Sequence, residues 1–253
     1  MRSIRYTLLF YLLIFLFSCK SEKGNVLTIA VAANMRYAMD DIVEDFSTKT
    51  GVGCRLIVAS SGKLTAQIKE GAPYDVFLSA DMKYPMEIHQ NHLAGFPPKV
   101  YAKGALVLWT TVDGMEPSLY SLKGNSVKHV AIANPKTAPY GRAAEQALKH
   151  YGLYELIKDK LIFGESISQV NQFVASGTAE VGFTVPSVVL APGMKGKGRW
   201  VLIDSQAHDP VEQGMVVLKG KSSVGREAIQ FYEYLFSTDA KKILLRHGYT
   251  LNE

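Results

Sequence analysis

The stretch "CRLIVASSGKLTAQIKEGAPYDVFLSA" (54–80) decides how the chain is read. "CRLIVA" (54–59) is an apolar run of strand length. Leu64 and Ile68, four residues apart, mark a short helix that Gly71 and Pro73 close, and "YDVFLSA" (74–80) reads as the next strand. Strand, helix and strand in so little chain is the unit from which parallel α/β sheets are built. Between the first strand and the helix stand Ser60, Ser61, Gly62 and Lys63. They read in two ways. One is S-x-x-K, a serine nucleophile activated by lysine. The other is the polar mouth of a helix N-terminus that holds an anion.

The same alternation extends outward. "VLTIAVA" (26–32) is a buried strand. Met35, Ala38, Met39, Ile42, Val43 and Phe46 then follow the period of an amphipathic helix, which "TKTG" ends with Gly51 in the place of a C-terminal cap. "HVAIA" (129–133) precedes a helix carrying Ala143, Ala144, Ala147, Leu148 and Tyr151. "LIF" (161–163) precedes one carrying Val170, Phe173 and Val174, and "EVGFTV" (180–185) comes next. "QGMVVLKG" (213–220) is a strand followed by two helices. Val224, Ala228, Phe231, Tyr232, Leu235 and Phe236 line the first, and Ile243 and Leu244 the second, which Gly248 ends. Strands alternating with helices predict parallel α/β sheets.

Of the 253 residues 47% are hydrophobic and 20% charged, which supports one large or two small domains with a sizeable core. The net charge of +5 is a mild excess, and the densest basic stretch, "MKGKGR" (194–199), is broken by glycines. It reads as a solvated turn, and no nucleic-acid partner is expected. Arg2 and Arg5 precede "TLLFYLLIFLF" (7–17), too short an apolar core to span a bilayer, so residues 1–18 read as a signal peptide. "LFSC" (16–19) resembles the lipobox of bacterial lipoproteins. By that resemblance Cys19 becomes the lipidated first residue, and residues 19–25 a tether to a membrane. The alternative is plain secretion with cleavage nearby, and in both cases the protein leaves the cytoplasm.

With Cys19 lipidated, Cys54 has no partner. It is expected to pack as a small hydrophobe, without a disulfide. The six histidines form no H-x-x-x-H pair, and His89 and His92 are expected on an exposed helix face. No metal-dependent chemistry and no cofactor are expected.

The informative positions are four strand-to-helix junctions: Ala33-Asn34, Ser60-Ser61-Gly62, "PYGR" (139–142) and "ESIS" (165–168). Asn and Ser are favoured N-caps, so each junction alone is explained by capping, with Ser166 or Ser168 capping the last. In open α/β sheets, however, such junctions lie at the carboxyl ends of the strands, where ligands collect. Two sheets facing each other would aim four helix N-termini, each with free N–H groups and partial positive charge, at one crevice. Hydrogen bonds to a charged group contribute ~1.5–3 kcal/mol each. Half a dozen of them, offset by stripping water from the ion, would hold a dianion at micromolar to nanomolar strength, about −8 to −12 kcal/mol. A donor-only site of this kind prefers fully deprotonated tetrahedral oxyanions over protonated phosphate, with ion size choosing among sulfate, molybdate and tungstate. Glu165 lies close to one junction.

"AANMRYAMDDIVEDF" (32–46), "ASSGKLTAQIKEGAPYDVFLSAD" (59–81), "ANPKTAPYGRAAEQAL" (133–148) and "GFTVPS" (182–187) are similar to the periplasmic molybdate-binding proteins of ABC transporters, the ModA family. The resemblance runs from about residue 26 to 251. It implies a type II periplasmic-binding fold of two α/β lobes, 26–104 with 211–253 and 105–210. "ALVLWT" (105–110) and the region near 211 would be the crossover strands. It implies molybdate, with tungstate, as the ligand. Asn34, Ser61, Tyr140 and the backbone N–H of Ile167 would be its donors, and Ala33, Ser60, Gly62, Ser166 and Val185 further contacts. Lys63 would point away. The resemblance also implies a monomer that closes on the ion, performs no chemical step, and docks on an ATPase-driven permease in the inner membrane. The sequence departs from the commonest family pattern: Asn34 stands where many members have serine, Val185 where they have tyrosine, and Tyr140 where they usually lack one. That is read as a variant coordination scheme.

Among the alternatives, K-T-G occurs at 49–51, upstream of Ser60-x-x-Lys63 rather than downstream, and no S-D-N is present. That argues against serine acyl transfer. Other anions remain as ligands: sulfate, or a small organic acid reached by Arg36 or Arg142. A ferric site would need a tyrosine and carboxylate cluster, and the junctions supply one tyrosine.

Overall fold

The computed structural model describes residues 26–194, 196–220 and 225–251. The expected signal peptide, Cys19 and the tether lie outside the described residues, as does Val224. The strands are β1 (Leu27–Ala32), β2 (Cys54–Ala59), β3 (Val76–Ser79), β4 (Lys99–Gly104), β5 (Val107–Thr110), β6 (Val130–Ala133), β7 (Leu161–Gly164), β8 (Val181–Thr184), β9 (Arg199–Leu202) and β10 (Val211–Val217). The helices are α1 (Arg36–Thr50), α2 (Ser61–Lys69), α3 (Lys83–Gln90), α4 (Pro139–His150), α5 (Tyr154–Ile157), α6 (Ile167–Ala175), α7 (Pro186–Val189), α8 (Arg226–Leu235) and α9 (Thr238–Arg246).

The strands form two five-stranded sheets with one plan, ordered β2-β1-β3-β10-β4 and β7-β6-β8-β5-β9. The sequence predicts parallel sheets, and three strands of each are parallel. The fourth is not: β10 runs antiparallel to β3 and β4, and β5 antiparallel to β8 and β9. These two strands arrive from the opposite sheet by direct crossings at 105–106 and 203–210. They are not placed by a helix that packs back on the sheet, so nothing imposes the parallel sense.

Strand alternation divides the first sheet's core. Leu27, Ile29 and Val31 of β1, with Val76 and Leu78 of β3, face α1, α8 and α9, where Phe46 meets Phe231 edge-on at 5.2 Å between ring centroids. Ala30 and Phe77 face the opposite way, onto Leu64, Ile68 and Ile88 of α2 and α3. The second sheet is packed on Ala144, Ala147 and Leu148 of α4 and on Val170 and Val174 of α6. Gly51 ends α1 with φ 73°, its N–H on the Ser47 carbonyl, a conformation glycine takes without strain.

Some elements escape the sequence pattern. α3 contains Pro85, which reads as a breaker but sits in the first turn, where its missing N–H costs nothing. β9 is short and exposed along its whole length, so it carries no apolar alternation. The expected exposed histidine face is not formed as such. His89 is half-buried on α3, and His92 lies beyond the helix with φ 59°. Cys54 is half-buried against the first core, and burial pushes its thiol pKa up.

Register places the site. Ala32 at the end of β1 is level with Ala59 at the end of β2, and Ala133 at the end of β6 is level with Gly164 at the end of β7. The segments that follow therefore leave each sheet side by side, at its carboxyl edge.

Candidate functional site

Four helix starts surround one small cavity. It is lined by Ala32, Ala33 and Asn34 from the first junction and Ser60 and Ser61 from the second. Ala138, Pro139 and Tyr140 come from the third, Ser166 and Ile167 from the fourth, and Ala80 from the end of β3. A water-sized atom has about 10 Å³ in which to place its centre, which suits a compact ion and not an extended organic molecule. No lining residue is charged. A larger groove of about 350 Å³ lies alongside, sharing Ala33 and bordered by Arg36 and Asp40. It includes the charged Arg36 and Asp40, and the convergent donors belong to the smaller cavity.

Among the described residues no side chain caps the 3-10 turn Ala33–Met35 that leads into α1, nor α2, α4 or α6. Ala32 and Ala138 hold two of the capping positions and have nothing to offer. Ser60 and Ser166 hold the other two, and neither makes the capping bond. Ser237 at the start of α9 behaves differently and accepts the Ala240 N–H at 3.3 Å. Capping is thus how this chain uses a serine elsewhere, but not at these junctions. The leading N–H groups have no intrahelical acceptor, and Pro139 contributes none, which leaves the Tyr140 N–H as the first donor of α4.

The side chains are oriented by identifiable partners. The Ser61 Oγ accepts the Ala80 N–H at 3.0 Å, and among the described residues its proton has no acceptor. The Ser60 hydroxyl is buried and, among the described residues, without a partner. The Tyr140 hydroxyl receives a long 3.5 Å bond from Gln213 Nε2. Burial first, then the nearby phenols of Tyr249 and Tyr101, pushes its pKa well above the ordinary 10, so it stays a donor. It lies so close to Gly104 that a Cβ there would come within 1.8 Å. Asn34 differs from expectation, because its side-chain amide is already engaged. Nδ2 donates to Gln213 Oε1 at 2.8 Å and to Tyr249 Oη at 3.1 Å. The group it has left for a ligand is its backbone N–H.

Asn34, Ser61, Tyr140 and Ile167 are therefore brought together, with Ala33, Ser60 and Ser166 beside them. Gly62 and Val185 do not line the cavity. The Gly62 N–H is bonded to the Thr137 carbonyl at 2.9 Å, and Val185 is buried at the start of α7. Lys63 also stays out: its Nζ pairs with Glu165 Oε1 at 2.5 Å, which assembles no lysine-activated serine at Ser60. Arg36 pairs with Asp40, and Arg142 with Asp81. The sequence reading missed Gln213, Gly104 and Ala80. A lone glutamine inside the apolar "QGMVVLKG" is the one signal that was available, since a fully buried amide must find partners.

Residues 27–250 match the family described as bacterial extracellular solute-binding protein. The molybdate-binding protein ModA of Azotobacter vinelandii is 38% identical over 93% of this chain and 94% of its own length. That of Rhodobacter capsulatus is 35% identical over 87% and 86%. The solved Azotobacter vinelandii periplasmic molybdate-binding protein superposes with a TM-score of 0.84 at 32% identity, covering 90% of this chain and 100% of that one. With two five-stranded lobes closing on a donor-lined cavity, the chain belongs to the bacterial extracellular solute-binding proteins and, within them, to the ModA family.

Proposed function

We propose that the protein captures molybdate, and tungstate with it, and delivers the ion to an ABC importer. The observation that carries this is the donor-only cavity at four uncapped helix starts. A fully deprotonated tetrahedral dianion accepts a hydrogen bond from every donor. Phosphate near neutral pH brings a proton that needs an acceptor, and the lining offers no carboxylate. In this reading the donors are the Ser61 and Tyr140 hydroxyls and the backbone N–H groups of Asn34 and Ile167. Ala33, Ser60 and Ser166 complete the shell.

The moving parts are a first lobe of residues 26–104 with 211–253 and a second of 105–210. A lipid on Cys19 holds the protein at the membrane beside the permease, and binding involves no chemical step. The test is a thermal-unfolding series of residues 20–253 with molybdate, tungstate, sulfate and phosphate. Ligand at a thousand times its dissociation constant adds about 4 kcal/mol, a rise of roughly 8–16 °C for a chain of this size. The reading requires that rise with molybdate and tungstate and a much smaller one with sulfate. No rise with any of the four would leave the helix ends as structural features only.

A further inference from the structure

Outside the cavity a second set of contacts joins the two sheets' elements. Asp81 follows Ala80 directly. Its Oδ1 is held on its own side, accepting the Ser79 hydroxyl at 3.1 Å and the Tyr84 N–H at 3.3 Å. Its Oδ2 takes the Arg142 guanidinium, which reaches across from α4. That guanidinium also lies over the Tyr84 ring, 5.6 Å from the centroid. Beside it the Tyr84 hydroxyl donates to the Lys136 carbonyl at 3.3 Å, and the Gly62 N–H to Thr137. Lys63 and Glu165 form the other ion pair across the cleft.

Exposure decides which pair matters more. The Lys63 and Glu165 side chains are 49% and 57% exposed, so water and salt screen them. Those of Arg142 and Asp81 are 31% and 16% exposed, and Arg142 Nη1 is buried with no acceptor among the described residues. Its charge has already lost part of its water, with Asp81 as its ion-pair partner and the Tyr84 ring beneath it, and removing one partner from such a pair is unfavourable. In an open cleft both groups would be hydrated, so the pair contributes only once the lobes have met.

We infer that Asp81 and Arg142 form an interlobe clasp that sets the lifetime of the closed, ion-loaded state. Both are positioning residues: neither lines the cavity, and both act through closure. This rests on the oxyanion-binding reading above. Because the clasp forms after encounter, its loss appears in dissociation and not in association. The two partners are not equivalent. Arg142→Gln leaves the Asp81 carboxylate bare beside an anion, whereas Asp81→Asn leaves a cation there.

The test is stopped-flow molybdate release from Arg142→Gln, Asp81→Asn and Lys63→Gln proteins. Glu155→Gln serves as a control, because it breaks an ion pair within one lobe. Arg142→Gln and Asp81→Asn are expected to release the ion about tenfold faster or more, about 1.4 kcal/mol. Arg142→Gln should be the faster of the two, with association within about twofold of the wild type. Lys63→Gln should be a few-fold faster, and Glu155→Gln unchanged. Unchanged release from both Asp81→Asn and Arg142→Gln overturns the clasp. If the wild type binds no molybdate, the function reading fails, and small-angle scattering of the ion-free proteins then decides the clasp. A larger radius of gyration in Arg142→Gln supports it, and identical curves overturn it.

Discussion

Gln213 accepts the Asn34 side-chain amide at 2.8 Å, a bond between residues 179 apart that ties the last strand of the first sheet to its first helix start. Its own Nε2 reaches the Val211 carbonyl at 3.1 Å and, at 3.5 Å, both the Ala80 carbonyl and the Tyr140 hydroxyl. One fully buried amide therefore touches three of the segments that line the cavity. Gln213→Leu, of similar volume, leaves the Asn34 amide short of a partner. The expected loss is about 1–3 kcal/mol of stability, read as a fall in the ion-free melting temperature of roughly 2–12 °C. Molybdate affinity should fall in parallel. A melting temperature equal to the wild type would show that the network adds nothing.

The two adjacent serines should separate. Ser61→Ala removes a hydroxyl that is already oriented by Ala80, and oxyanion binding should weaken by roughly 1–3 kcal/mol. Ser60→Ala removes a buried hydroxyl with no partner among the described residues. Ion-free stability should hold or rise by up to about 1 kcal/mol, with weaker molybdate binding if that hydroxyl meets the ion. Calorimetric titration paired with thermal melts reads both. A destabilised Ser60→Ala would contradict the unsatisfied state of its hydroxyl.

Gly62 makes a sharper case. An alanine Cβ there would stand 2.7 Å from the Tyr84 hydroxyl and 3.0 Å from Thr137 Cα and O. The position is helical, where alanine is the better residue by up to about 1 kcal/mol. The Tyr84 hydroxyl is on the same lobe and is the far end of a side chain that can swing aside, whereas Thr137 is backbone of the other lobe and obstructs only when the lobes meet. Gly62→Ala should therefore leave the ion-free protein about as stable while lowering molybdate affinity about tenfold. Titration and melting of the same sample check the two halves. An affinity unchanged from wild type would mean that the lobes tolerate the extra methyl.

Alkaline pH offers a test that needs no ligand. Burial raises the pKa of Tyr101, Tyr140 and Tyr249 above the ordinary 10. Their folded pKa values exceed the unfolded one, so the associated stability is fully present below about pH 10 and is lost as pH rises beyond it. The melting temperature should be flat toward pH 10 and fall above. Phenolate absorbance of residues 20–253, which keep eleven of the thirteen tyrosines because Tyr6 and Tyr11 lie in the expected signal peptide, should show these three ionising only as the fold is lost. All eleven titrating together in the folded protein would refute it.

Much of this was legible in the sequence, for a physical reason. Strand-to-helix boundaries are local: the apolar run ending at Ala59, the polar Ser60-Ser61 and the period through Leu64 and Ile68 lie within a few residues of one another. Ala32↔Ala59 and Ala133↔Gly164 then bring the junctions together by register alone. What was not legible depends on distant partners. Nothing near Asn34 says that its side chain is engaged by Gln213 and Tyr249, and nothing near Gly62 says that its neighbour is Thr137 and not a ligand. The clasp is invisible for the same reason: Arg142 reads as a cation that could reach an organic acid, and nothing near it points to Asp81.

The uncapped helix ends have one more consequence. Donors with no side chain to satisfy them must be satisfied by water whenever the lobes are apart, so an open cleft is a hydrated one. Shutting it replaces that water with the ion, and parting it lets the water back to the same N–H groups. Retention thus depends on dryness as well as on the clasp. A partner that separates the lobes by the width of one water molecule can empty the site without touching any residue that lines it.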